Sequence, residues 1–126
     1  GFEYSGPIIL VDKYPQCTRK IMELASKYDL AYSGMARIIG RGHCMMYGFA
    51  FTFNRADPDM MERTRKALHE VSRFALELGG VFWKPTVEEQ QMALEKMDPN
   101  TRALMKMIKQ NLDPLGIMNP GNWEVA

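Results

Sequence analysis

The residues with chemistry to offer are few, and they do not form a complete catalytic set. His43 follows Gly42 and is flanked, at strand alternation, by Arg41 and Arg37, which would make a cationic strip on one strand face. Trp83-Lys84-Pro85 puts an aromatic ring beside a cation, where proline keeps Lys84 out of helical geometry. Tyr4 adds a phenol near the start, and His69 lies between Lys66 and Arg73 on the polar side of a helical stretch. Cys17 and Cys44 are too few and too isolated for a metal site or a disulfide framework. Two reduced, buried thiols are expected, as in a cytoplasmic protein. There is no nucleophile elbow, no phosphate-cradling glycine loop, no metal-ligand spacing and no paired-carboxylate pattern.

The elements that must position these residues are more legible. Pro7-Ile-Ile-Leu-Val11 reads as a buried strand. Pro15 opens a helix whose Cys17, Ile21, Leu24, Ala25 and Tyr28 share one face. The period changes to two between Ala31 and Asn54, with strands over 35–39 and 43–54 around a turn at Gly40-Arg41-Gly42. In the second strand Met45, Tyr47, Phe49, Phe51 and Phe53 point one way, and Cys44, Met46, Gly48, Ala50 and Thr52 the other. The large face should pack on helices, and the small face leaves room for a ligand or another layer.

Asp57 caps a long helix with Pro58 at its first position, and its stripe is Met61, Thr64, Leu68, Val71, Ala75 and Leu78, widened by Ala67 and Phe74. Gly79-Gly80 ends it. Thr86 and Glu89 make a capping box for a helix to about Met97, and Asp98-Pro99 separates it from a last helix over 101–112 with Leu104, Ile108 and Leu112 on one face. The fold class is therefore α+β: an antiparallel sheet with helices packed on one face, in the order β-α-β-β-α, plus a helical C-terminal tail.

At 126 residues the chain is one domain with room for a core. Sixteen basic against fifteen acidic side chains, with no basic stripe, argue against nucleic acid. No apolar run is long enough to span a membrane, and no signal-peptide pattern opens the chain. Eleven methionines suit an irregular core, or one that accommodates a flat ligand or a second domain. The chain closes on Asp113-Pro114, which stops the last helix, and then on turns at Gly116 and Pro120-Gly121. Ile117 and Met118 between them are too apolar for a free tail, so this segment should dock, on the chain's own core or on something else.

The closing stretch Leu112-Asp-Pro-Leu-Gly-Ile-Met-Asn-Pro-Gly121 resembles the end motif of the FAD-linked oxidases of the vanillyl-alcohol oxidase and p-cresol methylhydroxylase family, which includes the glycolate and D-lactate dehydrogenases. Gly6-Pro7-Ile8, the helix from Pro15, the hairpin ending at Phe53-Asn54, the helix from Pro58 and the Trp83-Lys84 step match that family's cap region in order, so the resemblance covers nearly the whole chain. It implies a ferredoxin-like cap over 1–80 and a tail over 81–126 that docks on a flavin-binding domain outside this chain.

By the same resemblance, the larger enzyme passes hydride from a small, aromatic, phenol- or alcohol-like substrate to FAD. The family's Tyr-Arg step falls on Trp83-Lys84, which keeps an aromatic wall and a cation but loses the phenol donor and the guanidinium fork. Lys84 would offset negative charge on substrate or reduced flavin. Trp83 and His43 would face the substrate, Tyr4 and Arg41 would bind it, and Asn119 would lie near the flavin. Phe2 occupies the position where some members carry a flavin-linking His, so the FAD is expected to be non-covalent. Gly42-His43 begins like the metal site of the 2-hydroxy acid dehydrogenases. Cys44-Met45-Met46-Tyr47 then replaces the acidic part of that site, and Ala50 stands in place of its second His. No metal is therefore expected, and that activity is the lesser alternative. The flavin domain, a small-molecule substrate and a second copy of the chain are the expected partners. The other alternative is a non-catalytic α+β ligand-binding or oligomerisation module.

Overall fold

The computed structural model describes residues 1–123. They divide into two compact units that meet in sequence at Lys84-Pro85, rather than between Gly80 and Val81. Residues 81–84 stay with the first unit because its last strand pairs with the second.

In the first unit the order is β1 (Phe2–Ser5), β2 (Pro7–Leu10), α1 (Tyr14–Lys27), β3 (Ala31–Ile39), β4 (Cys44–Thr52), α2 (Pro58–Glu77) and β5 (Val81–Phe82). β4 is the centre of the sheet. β3 runs antiparallel along its whole length, from Ala31 opposite Thr52 to Ile39 opposite Cys44. β1 and β2 share its other side in one register, from Phe2 opposite Thr52 to Leu10 opposite Cys44, so they act as one strand interrupted at Gly6. β5 adds to β2, with Phe82 opposite Pro7. β3 and β1–β2 thus flank β4 in parallel, each helix crossing one face, which is the ferredoxin-like arrangement.

The alternation of β4 sets the layers. Met45, Tyr47, Phe49 and Phe51 are buried against the helices, while Cys44, Met46, Gly48 and Ala50 are only half-buried on the other side. Tyr47, Phe49 and Phe51 stack in sequence at ring separations of 5.9 and 6.1 Å, and Tyr14 meets Tyr47 edge-on at 5.0 Å. α1 supplies Cys17, Ile21, Leu24 and Ala25 to this core, and α2 supplies Thr64, Ala67, Val71, Ser72 and Ala75.

Asp57 caps α2 through its side chain, which accepts from Met60 N at 3.1 Å. The buried face of α2 runs back from Thr64 to Met60, so Met61 falls outside it and is exposed. Gly79 adopts φ +80° after the helix, and Gly80 packs so closely that a Cβ would lie 2.7 Å from Ala75 O. β1 and the first residues of β3, Ala31–Gly34, are strands that the sequence pattern does not show. Both are exposed on at least one face, so burial writes little alternation into them.

The second unit holds α3 (Val87–Lys96) and α4 (Pro99–Leu112). The capping box is present: Glu89 N donates to Thr86 Oγ1 at 3.2 Å and Thr86 N to Glu89 Oε2 at 2.9 Å. Asp98 caps α4, accepting from Asn100 N and Thr101 N, so this helix starts at Pro99 rather than Thr101. Leu104, Ile108 and Leu112 share a face as expected, yet all three are exposed. Ile117 and Met118 are exposed too.

Candidate functional site

The side of the sheet away from the helices exposes several large apolar side chains. Register assigns Phe2, Tyr4, Ile8 and Leu10 of β1–β2, the odd-numbered residues of β3 and the even-numbered residues of β4 to it. Among these strand residues Arg37 is the only charge. Phe2, Tyr4, Leu10, Met35 and Val81 are each at least half exposed on this face. Apolar area of this kind marks a face that something covers.

Near its middle the face dips. Tyr4, Ser33, Met35, Gly48 and Ala50, with backbone of Gly34 and Phe49, line an open hollow of about 260 Å³. The small side chains of β4 make the floor. Gly48 and Ala50 withhold bulk at the point where Tyr4, opposite Ala50, and Met35, opposite Gly48, rise on either side. Trp83 stands beside this hollow without lining it. Its backbone N donates to Gly6 O at 3.0 Å, which extends β5 by a residue and puts Trp83 across from Gly6, two residues along from Tyr4. A Cβ on Gly6 would sit 3.9 Å from the Trp83 Cβ. Lys84 comes next in a bend, exposed, with no carboxylate partner among the described residues.

The structure therefore brings Tyr4 and Trp83 to one part of one face. It does not bring His43 and Arg41 there. Both are exposed at the tip of the β3–β4 hairpin, where Val11 N donates to His43 O at 3.1 Å. A strand rises about 3.3 Å per residue, so the run of β4 from Ala50 to Cys44 places them about 20 Å from Tyr4. The expected cationic strip does not form either. Arg41 sits in a left-handed turn at φ +57° and His43 is αR, which ends the alternation that would have aligned both with Arg37. Ser33 and Met35 were not anticipated as lining residues. Their signal was the register of β3 on β4, which needs the pairing to be known.

Neither cysteine is disulfide-bonded. Burial pushes the Cys17 thiol up to about 11, so it stays protonated and inert at neutral pH. Cys44 is half-buried on the open face rather than buried. Among the described residues no group of three His, Cys, Asp or Glu side chains converges, and no helix is long and apolar enough to cross a membrane.

Asn119 belongs to the second unit. It adopts φ +47° in the closing loop and, with Met105, Ile108, Leu112, Met118 and Trp123 among others, lines an open apolar groove of about 580 Å³. Lys109 and Asp113 are the charges in that groove. The Lys109 ammonium, then the N–H groups of Met118 and Ile117, hold the Asp113 carboxyl below its ordinary range.

The fold and these sites can be set beside known proteins. The chain matches the curated sequences of two uncharacterised FAD-linked oxidoreductases, from two strains of Mycobacterium tuberculosis, at 32% identity over 101 residues. That is 78% of this chain and 21% of each relative, so the chain spans about a fifth of their length. Its structure is similar to that of 4-ethylphenol oxidase from Gulosibacter chungangensis, solved with isoeugenol, at a TM-score of 0.83 and 20% identity, over 99% of this chain and 24% of the other. That likeness shows the fold. The sequence matches the family described as FAD linked oxidases, C-terminal domain, over residues 9–123. On the extent of that match, from the second strand through the closing loop, this chain belongs to the C-terminal domain family of the FAD-linked oxidases.

Proposed function

We propose that this domain forms the substrate side of an FAD-dependent oxidoreductase acting on a small aromatic, phenol- or alcohol-like molecule. The hollow on the open sheet face carries this reading. It is large enough, at about 260 Å³, for a single ring; a cavity of roughly 150 Å³ already takes benzene. Its walls are a phenol, a thioether and a serine hydroxyl over a floor of small residues, which suits a flat, mostly apolar molecule. The floor also leaves room for a flat cofactor ring lying over the substrate, since Gly48 has no side chain and Ala50 only a methyl.

A bound flavin supplies the hydride acceptor. The chain's own residues do the rest. Tyr4 and Met35 hold the ring edge-on and exclude water from it. Trp83 walls the side next to Gly6. Lys84, unpaired by any carboxylate among the described residues, offsets negative charge that develops on substrate or cofactor. His43 and Arg41 lie too far along the sheet to touch the same small molecule as Tyr4, so the pocket is narrowed to Tyr4, Trp83 and Lys84. Phe2 offers no nitrogen for a link to the flavin, so the cofactor is held without a covalent bond to this segment. A flavin-binding domain covers the open face and receives the closing loop, with Asn119 on the flavin side.

The test is anaerobic titration of the flavoprotein that joins residues 1–126 to their flavin domain. Bleaching of the flavin absorption by a 4-alkylphenol or benzylic alcohol, with its half-saturation raised about tenfold or more by Gly48→Val, is the expected result. Bleaching by a 2-hydroxy acid alone, or no effect of Gly48→Val, overturns the reading of the hollow.

A further inference from the structure

The closing loop exposes its apolar side chains and is nevertheless held in one shape. Leu115, Ile117 and Met118 are 81, 73 and 56% exposed, so burial does not order them. Hydrogen bonds to two side chains do. The Asp113 carboxylate, only 4% exposed, accepts from Ile117 N and Met118 N at 2.9 Å each and pairs with the Lys109 ammonium. Lys109 also donates to Met118 O at 2.5 Å, and Gly116 N donates to Asp113 O at 3.1 Å.

The far end of the loop is tied to Gln90 of α3, itself buried. Its amide nitrogen donates to Asn122 Oδ1 at 3.2 Å and to Pro85 O at 3.3 Å, and its oxygen accepts from Trp123 N at 2.6 Å. Asn119 lies between the two anchors in a left-handed conformation, which Asn, after Gly, adopts more readily than most residues. Ending α4 requires none of this; Pro114 and Gly116 suffice.

We propose that Asp113 is a positioning residue. With Lys109 at one anchor and Gln90 at the other, it presets the backbone from Ile117 to Asn119, so that Asn119 meets the flavin-binding domain in a single conformation. The inference rests on the proposed placement of Asn119 on the flavin side. Charge-assisted bonds to backbone N–H groups are about twice as strong as neutral ones, which suits a clamp on an exposed loop. Ordering the loop before association lowers the entropy lost on docking.

Amide hydrogen exchange on residues 1–126 reads the clamp without any flavin. The Ile117 and Met118 amides should be protected, and Asp113→Asn should speed their exchange about tenfold or more, while Val71 in α2 is unchanged. Lys109→Met should move the same two amides, and serves if Asp113→Asn does not fold. Unprotected amides in the wild type, or no change in either variant, overturns the inference. So does faster exchange confined to the last turn of α4, the mark of a helix cap alone. In the protein carrying its flavin domain, Asp113→Asn and Asn119→Ala should each raise the FAD dissociation constant several-fold. An effect of Asn119→Ala without one of Asp113→Asn overturns the inference and keeps the functional reading. A broken clamp with FAD affinity unchanged in both variants overturns the placement of Asn119 and leaves the clamp standing.

Discussion

Gly80 shows how much of this domain depends on single atoms. Its backbone runs between α2 and β2, where a Cβ would lie 2.7 Å from Ala75 O and 3.0 Å from Ile9 Cγ2. Neither neighbour can yield, one being helix backbone and the other a core side chain. Gly80→Ala should therefore cost about 1–3 kcal/mol in urea unfolding. An unchanged midpoint would show that the α2–β5 connection gives way more easily than its packing indicates.

Three carboxylates are held below their ordinary values, Glu62 by Arg65 on the exposed face of α2 and, with partners in other segments as well, Asp113 and Glu70. Asp113 is held below its ordinary value of 3.8 by Lys109 and then by backbone N–H groups. Glu70 is held below 4.5 by hydrogen bonds from Lys27 and then Tyr28. Both are depressed in the native state, so the unfolded chain binds more protons as the pH falls. Their contribution is complete above the ordinary values and disappears as the pH drops through the lower native ones. Thermal midpoints should be level from about pH 7 to 5 and fall below that, less steeply in the Asp113→Asn, Glu70→Gln double variant. Equal slopes in the two proteins would assign the acid sensitivity elsewhere.

At the scale of elements, local signals were legible wherever they act within a turn or two. Asp57-Pro58, the Thr86–Glu89 box and Asp98-Pro99 each start a helix through bonds to backbone only three residues away or fewer. Thr86→Ala should cost about 1 kcal/mol and reduce helical circular dichroism. No change in either would mean that packing rather than capping starts α3. The large face of β4 was legible for a similar reason, because a central strand buried on one side must alternate. The first half of β3 carries no readable pattern because it belongs to an edge strand exposed on both faces, so nothing selects one there. Met60 rather than Met61 joins the buried face of α2, because a helical stripe fixes the direction of a face only to within about one residue and the tertiary contacts of Met60 settle the rest.

At the scale of the molecule, the two units differ in kind. Residues 1–84 contain the continuous core of β2, β4, α1 and α2. α4 of the second unit buries no residue among those described. A polypeptide of residues 1–84 should therefore melt cooperatively by circular dichroism, with a single transition. A broad, non-cooperative melt would show that this core needs the remaining residues.

The sequence by itself determined the α+β class, the position of nearly every helix end, the two faces of β4 and the family, through the closing motif. These come from the identities of near neighbours, from a period of two, and from turn residues whose backbone preferences are intrinsic. Only the tertiary structure decided which chemistry-bearing residues share a place. Tyr4 faces Ala50 and Trp83 faces Gly6 because strands distant in sequence pair in one register, while His43 and Arg41 go to a hairpin tip because a left-handed turn interrupts the alternation. Register is chosen by the burial of a whole face across several strands, and no single strand contains that information.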